Sequence, residues 1–355
     1  MPTNGHLCVN KNITNYLQKR SFICIYLAHK ETLMLKNIII TYNFDKSKIL
    51  LANKIAFFHL ILMASLVEIK KRIDSISSTI KVTKVMQMIA TAKIAKIKQM
   101  IGVAERYESS ANDVLGLFLK NTENSIVAKQ FFESSNANKN VLLLMFSSDK
   151  GTCGSINTNI FKETTNVVKE YKQAGKNITI LPIGKRAVKF LQLHADKLGV
   201  NVYQITDIVD AEYCNNELVS KITASVLEDY MNGKYCEISV LFHKFKNIIT
   251  CVVEKQQLLP IDKSLIDYEK ADFINIDETE NTPSAIIEYF IKTKIYSSYV
   301  SNIASIVSSR MNAMDNATKN GQEIIDDLRI QYNKSRQSRI TSELSDIVSG
   351  FEAIS

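Results

Sequence analysis

The stretch that most limits what this chain can become is its C-terminal end. Between Ser284 and Ser349 there is no proline and a single glycine, Gly321. Thr282-Pro283-Ser284 opens the stretch with a helix-start signal, a hydroxyl able to cap free amides and a proline at the first helical position. Ile303, Ile306, Ala313, Ala317, Ile324 and Leu328 then recur at spacings of three, four or seven, which puts them on one helix face. Those 66 residues as one helix would rise roughly 100 Å, at about 1.5 Å per residue. Ordinary globular helices run about 8–20 residues, so a rod this long implies a coiled coil or a repeat. It needs a partner along its length.

Residues 65–120 supply a second arm. Leu66, Ile69, Ile73, Ile76, Ile80, Thr83, Gln87, Ala90, Ile94, Ile97, Ile101 and Ala104 alternate in steps of three and four, the heptad register of a coiled-coil seam. Isoleucine dominates that seam, while Thr83, Gln87 and Ala90 thin its middle. The outer faces are basic. Lys70, Lys71, Arg72, Lys81, Lys84, Lys93, Lys96, Lys98 and Arg106 oppose only Glu68, Asp74 and Glu105. Three readings fit: a solvated face, an arm set against acidic protein surfaces, or a DNA-reading helix. The last would concentrate its charge ahead of the zipper instead of along it.

Between the arms, at 121–281, the pattern changes to strands alternating with helices, which implies a mostly parallel sheet. Val141 to Phe146 is a continuous apolar run, the mark of a strand buried on both faces. A helix over Ser155–Gln173, a strand over Ile178–Ile183 and a helix over Arg186–Ala195 follow. A strand over Val200–Ile205 and a helix over Glu217–Met231 come next, and Tyr235–Phe245 with Ile248–Gln257 reads as an antiparallel edge pair. The glycine-rich Ser148-Asp149-Lys150-Gly151-Thr152-Cys153-Gly154-Ser155 lies between a strand and a helix, where phosphate loops occur. It lacks the GxxxxGK[ST] spacing, its lysine precedes the glycines, and no metal ligands or catalytic triad assemble around it. A tight structural turn is the reading it favours over a nucleotide site. His194 and His243 are isolated and receive no role.

Composition narrows the class further. With 46% hydrophobic and 23% charged residues the balance is that of a soluble protein, and the length fits two structural units. The six cysteines have neither metal-ligand spacing nor a CxxC pair, so they read as reduced, small apolar residues in a reducing compartment. The net charge is +8, but residues 1–62 hold eight Lys/Arg against Glu31 and Asp45, so +6 of it sits there. What remains is close to neutral, which weakens a nucleic-acid argument from charge. Residues 1–62 lack sustained periodicity. They read as sequence ahead of a true start at Met63, as a targeting segment, or as a folded extension. Ser65 and Glu68 form a capping box, so the first helix is expected to begin there.

Both arms and the turn resemble the gamma subunit of F-type ATP synthase, the central rotor shaft. Ile69-Lys70-Lys71-Arg72-Ile73 and Lys81-Val82-Thr83-Lys84-Val85-Met86-Gln87-Met88-Ile89-Ala90 look like the family's opening helix. Ser148-Asp149-Lys150-Gly151-Thr152-Cys153-Gly154 is similar to its internal motif, with Thr152 where leucine is usual. The most specific block is Arg310-Met311-Asn312-Ala313-Met314-Asp315-Asn316-Ala317 together with the run from Tyr332 through Gln337 and Thr341 to Gly350. Phe351 stands where the family prefers alanine.

The resemblance covers residues 63–355 and implies an arm at 63–120, an α/β foot at 121–281 and an arm at 282–355. The arms would form an antiparallel two-helix coiled coil, and the foot an inserted Rossmann-like domain. It implies a non-catalytic subunit without cofactor or metal. Its partners would be the alpha and beta subunits, the epsilon subunit and the membrane c-ring. Arg310, Gln337 and Thr341 would be polar contacts to a beta subunit. Met86, with Lys84 and Lys93, would lie near acidic loops at the base of the ring, unless Met86 packs in the seam. Asp149, Gly151, Cys153 and Gly154 would form a structural turn. The place implied is the inner face of a bacterial inner membrane or the matrix side of the mitochondrial one. An enzyme with a nucleotide site and a nucleic-acid-binding coiled coil are the competing classes.

Overall fold

The computed structural model describes residues 46–121, 131–132, 139–203, 212, 216–262 and 282–352, with side chains on the first helix described from Leu66 onward. In chain order the elements are α1 (Lys46–Asn121), β1 (Asn140–Phe146), α2 (Ile156–Gln173), β2 (Asn177–Ile183), α3 (Lys185–Leu198), β3 (Asn201–Val202), α4 (Asn216–Met231), β4 (Glu237–Phe245), β5 (Cys251–Leu259) and α5 (Thr282–Glu352). Contacts divide the chain into two units, residues 74–326 and the two ends beyond them, with α1 and α5 contributing to each.

In the larger unit the strand order is β3-β2-β1-β4-β5, parallel except for the β4–β5 hairpin at one edge. The apolar run of β1 occupies the centre, and every residue from Val141 to Phe146 is fully buried. Because side chains alternate across a strand, the two faces have separate cores. Val141, Leu143 and Met145 pack with Ile160, Val167 and Leu191 of α2 and α3. Leu142, Leu144 and Phe146 pack with Val226 of α4, Leu115 of α1 and Ile295 and Tyr299 of α5. The Phe146 and Tyr299 rings meet edge to face at 5.4 Å. One sheet face is therefore covered by α2 and α3 and the other by α4 together with the two long helices. The expected strand over Val200–Ile205 is only Asn201–Val202, and Ile205 lies outside the described residues.

Along α1 the helix face picked out by the spacing is the covered one. Each seam position from Ile76 to Ala104 is buried or half-buried, and nearly all the residues between them are exposed. On α5 four of the six positions are covered, Ile303 and Ile306 buried and Ala313 and Leu328 half-buried, while Ala317 and Ile324 are exposed. Opposite α1 the covered line runs instead through Met311, Met314, Thr318, Gly321 and Ile325. The physical reason lies across the seam. Thr83 and Thr318 hydroxyls meet at 2.8 Å, and Gln87 donates to Asp315 at 2.9 Å. A Cβ on Gly321 would sit 2.8 Å from Cγ1 of Ile80, closer than carbon atoms can approach. Positions rise on one helix as they fall on the other, so the two run in opposite directions.

The smaller unit contains the start of α1 and the end of α5. Leu66, Val67 and Lys70 line a groove with Tyr332, Arg336, Arg339, Ile340 and Glu343. Helix α1 begins at Lys46, so Ser65 and Glu68 lie inside it and do not cap its start. Residues 46–64 hold no proline or glycine to end a helix. Glu68 instead pairs with Arg72 one turn on, at 2.9 Å. The remaining leader residues, 1–45, lie outside the described ones.

Replacing Gly321 with leucine should destabilise the folded chain by about 1–3 kcal/mol through overpacking against Ile80. Adding Ile80→Ala should recover much of that loss. Thermal or urea unfolding of the single and double variants measures both effects.

Candidate functional site

The residues flagged from sequence as a turn form the junction between the sheet and α5. Ser147 and Ser148 end β1 fully buried, and the chain then turns back through Gly154 to enter α2. Thr152 has φ of 48° and Gly154 φ of 64°. The first is an uncommon conformation for a β-branched residue, held by its surroundings. Gly154 is required for two reasons, its backbone angle and the approach of α5. A Cβ there would stand 3.1 Å from the Ser309 hydroxyl.

The turn is tied by hydrogen bonds to the start of α3, whose opening amides are donors of the kind that bind anions. Lys185 N–H donates to Asp149 Oδ1 at 3.1 Å, Arg186 N–H to the Ser148 carbonyl at 3.1 Å and Ala187 N–H to Ser147 Oγ at 2.8 Å. All three are taken by the chain itself. Asp149 also accepts from the Glu212 N–H through Oδ2, at 3.0 Å. A Cβ on Gly151 would meet the Arg186 guanidinium at 2.6 Å. Asn157 of α2 knits the turn from within, accepting from the Ser148 N–H at 3.1 Å and donating to Cys153 Sγ at 3.2 Å. Asp149, Gly151, Cys153 and Gly154 thus stand in a turn, here termed the brace, that is tied to α2, α3 and α5.

Helix α5 is seated on this brace by a polar stripe. Ser301 Oγ accepts from the Phe245 N–H at 2.8 Å, and the Ser305 hydroxyl lies 3.1 Å from the His243 carbonyl. Asn302 Oδ1 faces the backbone N–H and Nδ1 of His243 at 3.4 and 3.3 Å. Ser309 donates to the Cys153 carbonyl at 2.7 Å, and Asn312 to the Ile248 carbonyl at 2.9 Å. Arg310 completes the row with a two-pronged contact to Glu212, at 2.6 and 3.1 Å. Burial pushes the Glu212 carboxyl up, but the Arg310 hydrogen bonds and charge outweigh it and hold the group below the usual carboxylate range.

The stripe was missed in the sequence, although Ser298, Ser301, Asn302, Ser305 and Ser309 recur at helical spacing. Serine and asparagine are weak helix formers, so their recurrence inside a helix is itself a signal of polar packing.

The other flagged residues lie elsewhere. Arg310 is turned inward; its side chain is only 12% exposed and its guanidinium meets Glu212. Gln337 and Thr341 are exposed on α5, with the Thr341 hydroxyl donating to the Gln337 carbonyl at 3.0 Å. Met86 is outside the seam, 38% exposed, in a line with Val82, Val85 and Ile89, and Lys84 and Lys93 are exposed beside it. No cluster of His, Cys, Asp and Glu able to hold a metal occurs among the described residues.

The comparisons with known proteins match this architecture. A family model described as ATP synthase matches residues 65–354. The ATP synthase gamma chain of Pelagibacter ubique is 31% identical over 298 residues, covering 82% of this chain and all of that one. The gamma chain of Fusobacterium nucleatum is 31% identical over 292 residues with the same coverage. The chain belongs to the ATP synthase gamma family. Among solved structures, a chain of the Euglena gracilis mitochondrial ATP synthase, from an assembly of OSCP, F1 and c-ring, shares the fold. It has a TM-score of 0.53 at 14% identity, covering 82% of this gamma chain and 95% of that one.

Burial drives the imidazole of His243 down to about 4, against a weaker upward pull from Asn302. An unfolded histidine titrates near 6.5, so the folded chain refuses a proton that the unfolded one accepts. The neutral residue contributes its full stability above about pH 6.5 and loses it as pH falls toward 4. The loss should approach about 3 kcal/mol by linkage. His243→Asn removes it, so the difference in unfolding free energy between wild type and variant should shrink across that window. Carboxylates such as Glu212 act below it.

Proposed function

We propose that this gamma chain is the rotating central shaft of a proton-translocating F-type ATP synthase. It carries rotation of the membrane c-ring to conformational change in the catalytic beta subunits. The observation that carries the reading is the combination of two long helices in heptad contact with an α/β unit braced onto one of them. Torsional stiffness needs a continuous seam without breaks, and this is supported by the twelve-position register of α1 and by Gly321 letting the backbones approach at Ile80. We read that seam as an antiparallel two-helix coiled coil and the sheet unit as a Rossmann-like foot.

The chain is a non-catalytic subunit, and the coupling it performs lies in contacts. A shaft can bias three similar partners only by touching them differently at each angle. The alpha and beta subunits would surround the arms, while the epsilon subunit and c-ring would meet the foot. Gln337 and Thr341 are assigned to a beta subunit as uncharged groups that release without stranding a charge. Met86, Lys84 and Lys93 are assigned to acidic loops at the base of the ring. The exposed line Val82, Val85, Met86 and Ile89 favours that assignment, since no seam partner covers it. Among the described residues no helix is long and apolar enough to cross a membrane, which fits attachment through partners at the inner face of a bacterial, or matrix side of a mitochondrial, inner membrane.

Two measurements test this. Rotation of a probe attached to the foot, driven by ATP in a complex with catalytic subunits, should require this chain, and its absence would overturn the shaft reading. Gln337→Ala with Thr341→Ala should leave folding and assembly intact, because alanine keeps or raises helix propensity. ATP synthesis per assembled complex should fall several-fold, each hydrogen bond being worth about 0.5–1.5 kcal/mol. Unchanged synthesis would mark both as ordinary surface positions.

A further inference from the structure

We infer that Arg310 acts inside the chain, as a positioning residue that with Glu212 and the turn Asp149–Gly154 clamps the α/β unit to α5 so that the two turn as one body. The inference rests on the shaft reading, under which torque entering the foot must reach the helices without slip. The apolar core between sheet and helix resists separation, but apolar contacts are not directional and do little to oppose sliding. The polar contacts are directional. They also form a closed chain: α5 holds Glu212 through Arg310, Asp149 holds the Glu212 backbone, Asp149 holds the start of α3, and Ser309 ties α5 back to Cys153.

Each link has low freedom. The Arg310 and Glu212 side chains are 12% and 7% exposed, and the guanidinium meets both carboxylate oxygens, a geometry that fixes orientation as well as distance. With both terminal nitrogens on Glu212 and the remaining Nε buried, the guanidinium is turned into the chain while the pair is closed.

The test compares Glu212→Gln, Arg310→Gln and the double variant in the complete complex, reading assembly and protons pumped per ATP hydrolysed. Either single change strands a buried charge, and pumping should drop by roughly tenfold. In the double variant two amides face each other and no charge is stranded, so pumping should recover most of that loss. Equal harm from Arg310→Gln whatever stands at 212, or a silent Glu212→Gln, would overturn the inference and return Arg310 to contact with another subunit. A wild-type complex whose pumping does not depend on this chain would instead sink the shaft reading.

A second measurement serves if the charged variants do not assemble. Ser309→Ala removes the tie of α5 to the Cys153 carbonyl without stranding a charge. Assembly should be kept while protons pumped per ATP hydrolysed fall several-fold. Unchanged pumping in the assembled Ser309→Ala complex would refute the clamp.

Discussion

The structure depends on how one long helix is seated across the end of a sheet. Helix α5 meets the carboxyl ends of β1 and β4 through Ser301, Asn302, Ser305 and Ser309 as well as through apolar residues. Strand ends leave carbonyls and amides without ladder partners, and an apolar helix laid there would bury them unpaired at a cost of about 1–3 kcal/mol each. Short hydroxyl and amide side chains answer that need while letting the backbones approach. The ion pair of Arg310 with Glu212 closes the outer end of the same row, where burial is less complete. The same residues serve packing and most of the polar pairing here, with His243 Nε2, Ser308 Oγ and Arg310 Nε left buried without a partner.

A second constraint follows once α5 is fixed. Its other face must accept α1, whose seam is filled with bulky isoleucine. The answer at Thr318 and Gly321 is to become small opposite Thr83 and Ile80, with Asp315 taking the polar group of Gln87. At this crossing the bulk of Ile80 is met by space at Gly321. Such a pairing holds register, since a slide of one turn would set Ile80 against Thr318 or Ile325.

That division explains what was legible in the sequence. The α1 seam could be read because its side chains are large and apolar, and the central strand because Val141 to Phe146 admits no polar residue. The α5 face could not, because Gly321 and Thr318 carry no hydrophobic signal and the nearby Ala317 and Ile324 do. The brace was visible as a turn from its glycines. Glu212 was invisible, standing far from Arg310 in sequence with nothing local to mark it. The inward turn of Arg310 was hidden for the same reason, since a charge on a long helix reads as surface until its partner is known. The capping box failed because a local signal at Ser65 competes with an upstream segment that contains nothing to stop a helix.

The brace also shows how a mostly parallel sheet can serve a mechanical purpose. In open parallel sheets the crevice at the carboxyl ends of the strands is where ligands bind, because loop amides and helix starts leave donors unpaired there. In this chain Ser147, Ser148 and Asp149 occupy those donors in turn, and Ser309 takes the Cys153 carbonyl on the far side of the turn. The opening amides of α3 are thereby committed to neighbouring segments of the same chain. Directional bonds made within the chain suit a joint under torque. The depression that remains beside Asp149 is lined by Lys185, Arg186, Lys189 and Gln192, but the amides on its floor are spent, so its positive charge has no oriented donors behind it.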